Sequence, residues 1–269
     1  SQDKEIDMAN QIKKKESAEI VDINLLLEDA EAGHNMSNED MMIPRLRILQ
    51  DGSPQVKKRD GAYVDGAEPG HIFDNVSRQV YDGEKGIMVV PVTYRGTYIE
   101  WKPDRGGLVG DRGPNYDTSE CKANEKGKLF LPNGNEVVRT NEYFVFVVDD
   151  DGVYSPALIS MSSSGLKKSK RWNSMINRLQ IPHPNGSGTI NPAMFWTAYR
   201  LTSVPESNDD GSWMNWEVEM CFDAKSGGIL ANLPTGKDIY LEARNFRNKV
   251  KDGDIKVSAD DSQDANDDF

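Results

Sequence analysis

The chain has 269 residues, 37% of them apolar, with 44 acids against 32 bases for a net charge of -12. That balance argues against a uniformly basic nucleic-acid binder, and no apolar run of about 18 residues marks a membrane span. The acidity is uneven: residues 1–43 hold 11 acids and 4 bases, residues 258–269 hold 5 acids and no base, and residues 44–257 hold 28 of each. The expected organisation is therefore an acidic N-terminal arm over 1–42, one neutral domain over 43–257 and an acidic tail over 258–269.

Residues 1–15 are polar and read as disordered. From Glu16 to Ala32, Ile20, Ile23, Leu27 and Ala30 recur at helical spacing, which predicts a short amphipathic helix that stops at Gly33. Such a helix packs on the body or docks a partner or a second copy, so a homo-oligomer is among the expectations. The run Ile43 to Gln50 (IPRLRILQ) alternates as a strand that puts Arg45 and Arg47 on one face.

Short β-rich segments punctuated by Gly and Pro follow, the pattern of a mainly β domain. Ile87 to Tyr94 and Thr97 to Lys102 read as a hairpin around Arg95-Gly96, with Pro91 marking an edge or bulged strand. In the second strand Trp101 falls on the apolar face, and Tyr98 and Lys102 on the other. Asp104 to Tyr116 is a glycine-rich loop with Arg105 and Arg112 and without the spacing of a nucleotide phosphate loop, so it is expected to close over a backbone. Two more hairpins are predicted, turning at Asn133-Gly134 and at Asp149 to Gly152. The three adjacent aspartates of the second turn point along a turn and do not converge on one metal ion.

Ser162 to Gln180 (SSSGLKKSKRWNSMINRLQ) predicts a helix from about Gly165 to Leu179, with serines before it and Pro182 after it. Trp172, Met175, Ile176 and Leu179 form one apolar stripe, which makes Trp172 a core residue. Lys167, Lys168, Lys170, Arg171 and Arg178 supply cations with no acid among them, a surface able to follow phosphates. Asn185 to Asn191 is a loop. Ala193 to Val204 and Ser212 to Asp223 predict the longest hairpin, in which Trp216 is core; in the first strand either Trp196 and Arg200 present a ring and a cation together, or Phe195, Tyr199 and Leu201 are the residues turned out. Thr235 is expected to cap a last helix, Gly236 to Lys251, with Ile239, Ala243, Phe246 and Val250 inward and Arg244, Arg247 and Lys251 outward.

The last twelve residues, SADDSQDANDDF, carry Asp260, Asp261, Asp264, Asp267 and Asp268 and end on Phe269. They cannot bury enough surface to offset ordering, so a mobile arm is expected. The three histidines are scattered, Cys121 and Cys221 have no metal-like spacing, and no catalytic constellation stands out. A non-enzymatic protein without cofactor is the expectation.

An acidic tail ending in Phe resembles the single-stranded-DNA-binding proteins of bacteria and tailed phages. The body resembles tailed-phage proteins through IPRLRILQ, GIMVVPVTYRGTYIEW and SGLKKSKRW. The resemblance implies an OB-fold-like β-barrel with long hairpin extensions and disordered acidic termini. It implies sequence-independent binding of single-stranded DNA in phage replication or recombination, in the cytoplasm of an infected host. Polymerase or helicase would then be recruited through Asp260, Asp261, Asp264, Asp267, Asp268 and Phe269. The DNA-facing set expected from the body is Arg95, Tyr98, Lys102, Arg105, Arg112, Lys167, Lys168, Lys170, Arg171, Arg178, Trp196 and Arg200. The alternatives are a non-enzymatic virion or assembly protein and a strand-annealing recombination protein.

Overall fold

The computed structural model describes residues 42–251, together with Leu27, Glu28 and Ala30. The chain divides into two compact units, Ser1–Asp40 and Met41–Phe269, and the fold described is that of the second. The expected disordered start and tail lie outside the described residues, as does the expected amphipathic helix except for those three positions.

The unit is mainly β, as its composition predicts, and its principal sheet curls into a half-barrel. The strands along the sheet are β13 (Gly211–Met220), β12 (Tyr199–Asn208), β4 (Ile87–Trp101), β8 (Glu136–Val148), β9 (Tyr154–Ser162), β1 (Arg45–Ile48), β2 (Ile72–Asp74) and β3 (Val80–Tyr81). Neighbours on this path are antiparallel except β1 and β9, which run parallel through Arg45↔Leu158 and Leu46↔Ile159. Strand β5 (Leu108–Gly113) pairs with β4, while β7 (Leu129–Phe130) joins β8 and carries β6 (Lys122–Ala123). A separate ribbon pairs β10 (Ile181–Pro182) with β11 (Thr189–Ile190).

The predicted turn at Arg95-Gly96 does not exist. Ile87–Trp101 is a single strand of 15 residues, bulged between Pro91 and Thr93, and it pairs with β8 from Met88 to Trp101. Gly96 lies in mid-strand opposite Asn141, and a Cβ there would meet only the movable end of the Arg139 side chain and the Tyr94 hydroxyl, so this glycine marks no reversal. The second segment of one predicted hairpin and the first of the next likewise fuse into β8, and the glycine-rich stretch after Asp104 is largely β5. The turns at 131–135 and 149–153 form as expected; Asp149 Oδ1 accepts from the backbone of Asp151 and Val153, and Gly152 adopts φ 79°.

Apolar clusters lie on both faces of the curled sheet. Tyr143 and Val145 join Ile159, Tyr199, Leu201, Trp216 and Val218, and helix α1 (Gly165–Asn177) inserts Trp172 among them. Trp172 is 0% exposed and stacks on Tyr143 with ring centroids 4.2 Å apart. Phe144 and Phe146 alternate to the opposite face and pack with Ile229 of α2 (Gly228–Asn232) and with Ile239, Ala243 and Phe246 of α3 (Gly236–Lys251). The inward face of α3 is thus the expected one. Thr235 stands at its start, where its carbonyl accepts from the Ile239 amide at 2.9 Å, while its hydroxyl donates to the Gly152 carbonyl at 2.7 Å and ties the β8–β9 turn to the helix.

A side chain bridges the β13 edge to the chain that follows β1. Gln50, just after β1, donates from Nε2 to the Met214 carbonyl and accepts from the Met214 amide, each at 2.8 Å. Its amide takes the place of a strand along the β13 edge, which covers backbone groups that an edge otherwise leaves open.

Candidate functional site

The second half of β4, the ends of β8 and β9, β1, β5, β13 and the start of α1 converge on a cavity of about 230 Å³. Arg45 and Arg47 reach it from β1, where strand alternation gives both the same direction. Arg95 and Trp101 come from β4, Arg105 and Asp111 from the chain after it, Glu142 from β8, and Trp213 and Trp216 from β13. Ser160, Ser162, Ser163 and Ser164 line it at the turn into α1. Among the described residues that helix starts without a side-chain cap and without an acid in its first turn. Two wall residues hold left-handed backbone, Arg105 at φ 50° and Ser163 at φ 47°, conformations that persist only where surrounding structure enforces them.

Ion pairing decides which cations are available. Glu142, with a side chain 0% exposed, is held by Arg45 Nη1 at 3.1 Å and Arg95 Nη2 at 2.6 Å, and Arg95 also reaches Asp111 at 3.2 Å. Arg105 is buried and paired through Nε to Glu136 at 3.1 Å. Arg112 pairs with the buried Glu100, which Asn135 also hydrogen-bonds. The Asn135 hydrogen bond and then Arg112 hold the Glu100 carboxyl below its usual pKa, against the opposing effect of burial. On α1, Lys168 bridges Glu206 at 2.8 Å and Glu217 at 2.9 Å, and Arg171 shares Glu217. Burial pulls Lys168 down, but the two glutamates outweigh it and leave its pKa above the ordinary value.

Lys167, Lys170 and Arg178 remain exposed, without an ion-pair partner among the described residues. The helix that carries the two lysines, with Arg178 at its C-cap, starts at the cavity wall. Lys102 is exposed and Arg200 half-buried, each likewise without such a partner.

The expected set is therefore divided by the fold. Arg95 and Arg105 reach the cavity, Arg112 is engaged on β5, and the α1 residues split between hairpin pairing and solvent. Tyr98 is half-buried beside Tyr116, and Arg139 lies 5.2 Å over its ring. Trp196 and Arg200 do not share a strand face. Met194–Trp196 is a 3-10 turn, and the Trp196 indole donates to the Ala224 carbonyl at 2.9 Å. Trp101, expected in the core, is half-buried and faces the cavity.

Sequence reasoning left Arg45, Arg47, Glu142 and Trp213 out of the site. For the first two the signal existed, since the alternation of IPRLRILQ puts both arginines on one face. Glu142 had no local signal, because its partners Arg45 and Arg95 are 97 and 47 residues away. Among the described residues no group of His, Cys, Asp or Glu side chains could hold a metal ion, and no helix is long and apolar enough to cross a membrane.

A family model described as Pam3 phage gp34-like protein matches residues 14–256, nearly the whole chain. The chain belongs to the Pam3 phage gp34-like family. It is thus a bacteriophage protein, and the match spans every strand and helix of the gp34-like unit described above. No curated protein and no solved structure matches this gp34-like chain.

Proposed function

We propose that this phage protein binds single-stranded DNA without sequence preference during replication or recombination, and that its acidic C-terminal segment recruits replication proteins such as polymerase or helicase. One juxtaposition carries the reading. Three exposed cations lack carboxylate partners among the described residues, Lys167 and Lys170 on α1 and Arg178 at its C-cap, and the helix begins at the wall of a cavity lined by Arg45, Arg47, Arg95, Trp101 and Trp213. Cations hold phosphates and rings stack on bases of any identity, which is how a single strand is gripped without being read.

Because Lys168, Arg171 and Arg112 are tied to glutamates, few cations are left to meet the backbone. Three phosphate contacts give a log–log salt slope of about -2 for a single strand. Fluorescence anisotropy with a labelled single strand and its duplex, at two salt concentrations, tests this. Preference for the single strand with that slope is expected, and tighter binding by a chain that ends at residue 257, whose acidic tail no longer competes. No binding at low salt removes the proposal.

The extent of ion pairing favours one alternative, a non-enzymatic virion or assembly protein. On that reading the pairs serve to hold the fold, oligonucleotides of every kind are ignored, and the protein sediments with capsids.

A further inference from the structure

Strands β4 and β8 pair in continuous register from Tyr94↔Tyr143 to Tyr98↔Arg139, with Gly96 opposite Asn141 between them. Alternation along each strand therefore puts Tyr94, Gly96 and Tyr98 on one side of the sheet, together with Tyr143, Asn141 and Arg139. Helix α1 borders this side. The Tyr143 hydroxyl donates to Asn173 Oδ1, and Asn141 Nδ2 donates to Ser169 Oγ, each at 2.8 Å. Beyond the helix the side chains reach solvent: Tyr94 is 36% exposed, and Tyr98, Tyr116 and Arg139 are half-buried.

Gly96 leaves the space between the two tyrosines without a side chain of its own, and a cation fills it. The Arg139 guanidinium and the Tyr94 hydroxyl both reach the place that a Cβ on Gly96 would take. The same guanidinium lies 5.2 Å over the Tyr98 ring, and the Tyr116 ring continues the row with its centroid 6.2 Å from that of Tyr98. Ring, guanidinium and ring thus follow one another along the four residues from Tyr94 to Tyr98, about 13 Å of strand. The Arg139 side chain makes no hydrogen bond or ion pair among the described residues. A guanidinium over a ring keeps its N–H edge for other acceptors.

The charges around the row give it a direction. Glu100, on the same side, is already matched by Arg112 and Asn135. Asp117 follows Tyr116 at one end, whereas Lys170, next to Ser169 on α1, stands exposed near the other. Flat π faces with a cation among them suit planar groups strung on an anionic backbone. Unpaired bases offer their faces, while the bases of a duplex keep theirs against their neighbours. A docked protein is served by an apolar centre depleted of charge, and here the centre is a guanidinium.

We infer that the side of β4 and β8 carrying Tyr94, Arg139, Tyr98 and Tyr116 is a stacking platform for roughly two or three consecutive unpaired bases, with their phosphates toward Lys170. This rests on the single-strand reading above and adds to it the surface that meets the bases.

The test uses the full chain, a labelled short oligothymidylate and an abasic oligomer of the same length. The thymidylate is expected to bind about a hundredfold tighter, a factor of about ten for each of two stacked bases. Tyr94→Leu cuts that preference about tenfold and leaves the abasic oligomer within about twofold of its original affinity, while Tyr94→Phe keeps the preference. Lys170→Glu weakens both oligomers alike and keeps their ratio. Light-induced crosslinking of the wild-type chain to an oligomer containing 5-iododeoxyuridine, read by mass spectrometry, is expected to give adducts at Tyr94 or Tyr98. If circular dichroism shows that Tyr94→Leu has lost its fold, the adducts decide. Equal affinities for the two oligomers, a preference that Tyr94→Leu leaves intact, or adducts that avoid both tyrosines overturns the platform alone. Failure of both oligomers to bind at low salt overturns the platform and the strand reading together.

Discussion

Trp172 is the residue on which the inner cluster is assembled. It stacks on Tyr143, meets Tyr199 edge-on with ring centroids 5.6 Å apart, and has no exposed surface. Trp172→Ala removes the largest fully buried side chain, so a loss of about 3–5 kcal/mol is expected from the unfilled volume. Urea unfolding followed by near-ultraviolet circular dichroism measures it; a loss under about 1 kcal/mol means that α1 does not close the cluster. This role was legible in the sequence because the stripe Trp172, Met175, Ile176, Leu179 is local to one helix. The fate of the arginines was not. Arg105 looks like any loop cation until Glu136, 31 residues on, is brought beside it. A count of charges cannot distinguish a cation facing solvent from one already matched by a buried carboxylate.

At the scale of elements, α1 is held to the β12–β13 hairpin by Lys168, which reaches Glu206 on one strand and Glu217 on the other. Both carboxyls sit below their usual pKa. For Glu206 burial is the largest influence and opposes the shift, and Lys168 and Asn215 overcome it. For Glu217 the Lys168 hydrogen bond leads. Carboxyls with a lowered folded pKa contribute stability that is complete above the unfolded value of about 4.3 and is lost as pH falls through the folded values. Lys168 is raised, so its share is complete below about 10.4 and is lost as pH rises through its folded value. Lys168→Met is therefore expected to cost about 1 kcal/mol across the neutral range, a modest figure because the three groups keep partial solvent contact. The difference between wild type and variant in urea should narrow below about pH 4. A gap that persists unchanged at pH 3 excludes the glutamates as the source. The helix and the hairpin were each readable from spacing and turn residues. Their tether was not, since Lys168 and Glu217 are 49 positions apart. The long strand β4 was misread for another reason: Gly96, in mid-strand opposite Asn141, carries the same local signal as a glycine in a turn.

For the whole molecule, the mainly β class and the confinement of acidity to the two ends followed from composition and hairpin chemistry, which are additive along the chain. Strand order was out of reach, because β1 meets β9 in parallel across more than a hundred residues and no local pattern encodes that pairing. The bridge between β13 and the chain after β1 is another such distant contact. On the β13–β12 side, Met214 stands opposite Pro205, and on its other edge its amide and carbonyl are taken by Gln50. Gln50→Ala leaves both backbone groups without their side-chain partner, a cost of about 1–3 kcal/mol. The same change frees the wall that β13 contributes to the cavity, since Trp213, Met214, Asn215 and Trp216 all line it. Hydrogen exchange separates this local effect from general destabilisation. The Met214 amide should lose protection in the variant, while the Glu217 amide, which faces Thr202 across the β12–β13 ladder, keeps its protection under native conditions. Equal loss at both amides means that Gln50 supports the whole sheet. Retained protection at Met214 means that β13 stays beside the chain after β1 without it, and then β13 is held to β1 by packing alone.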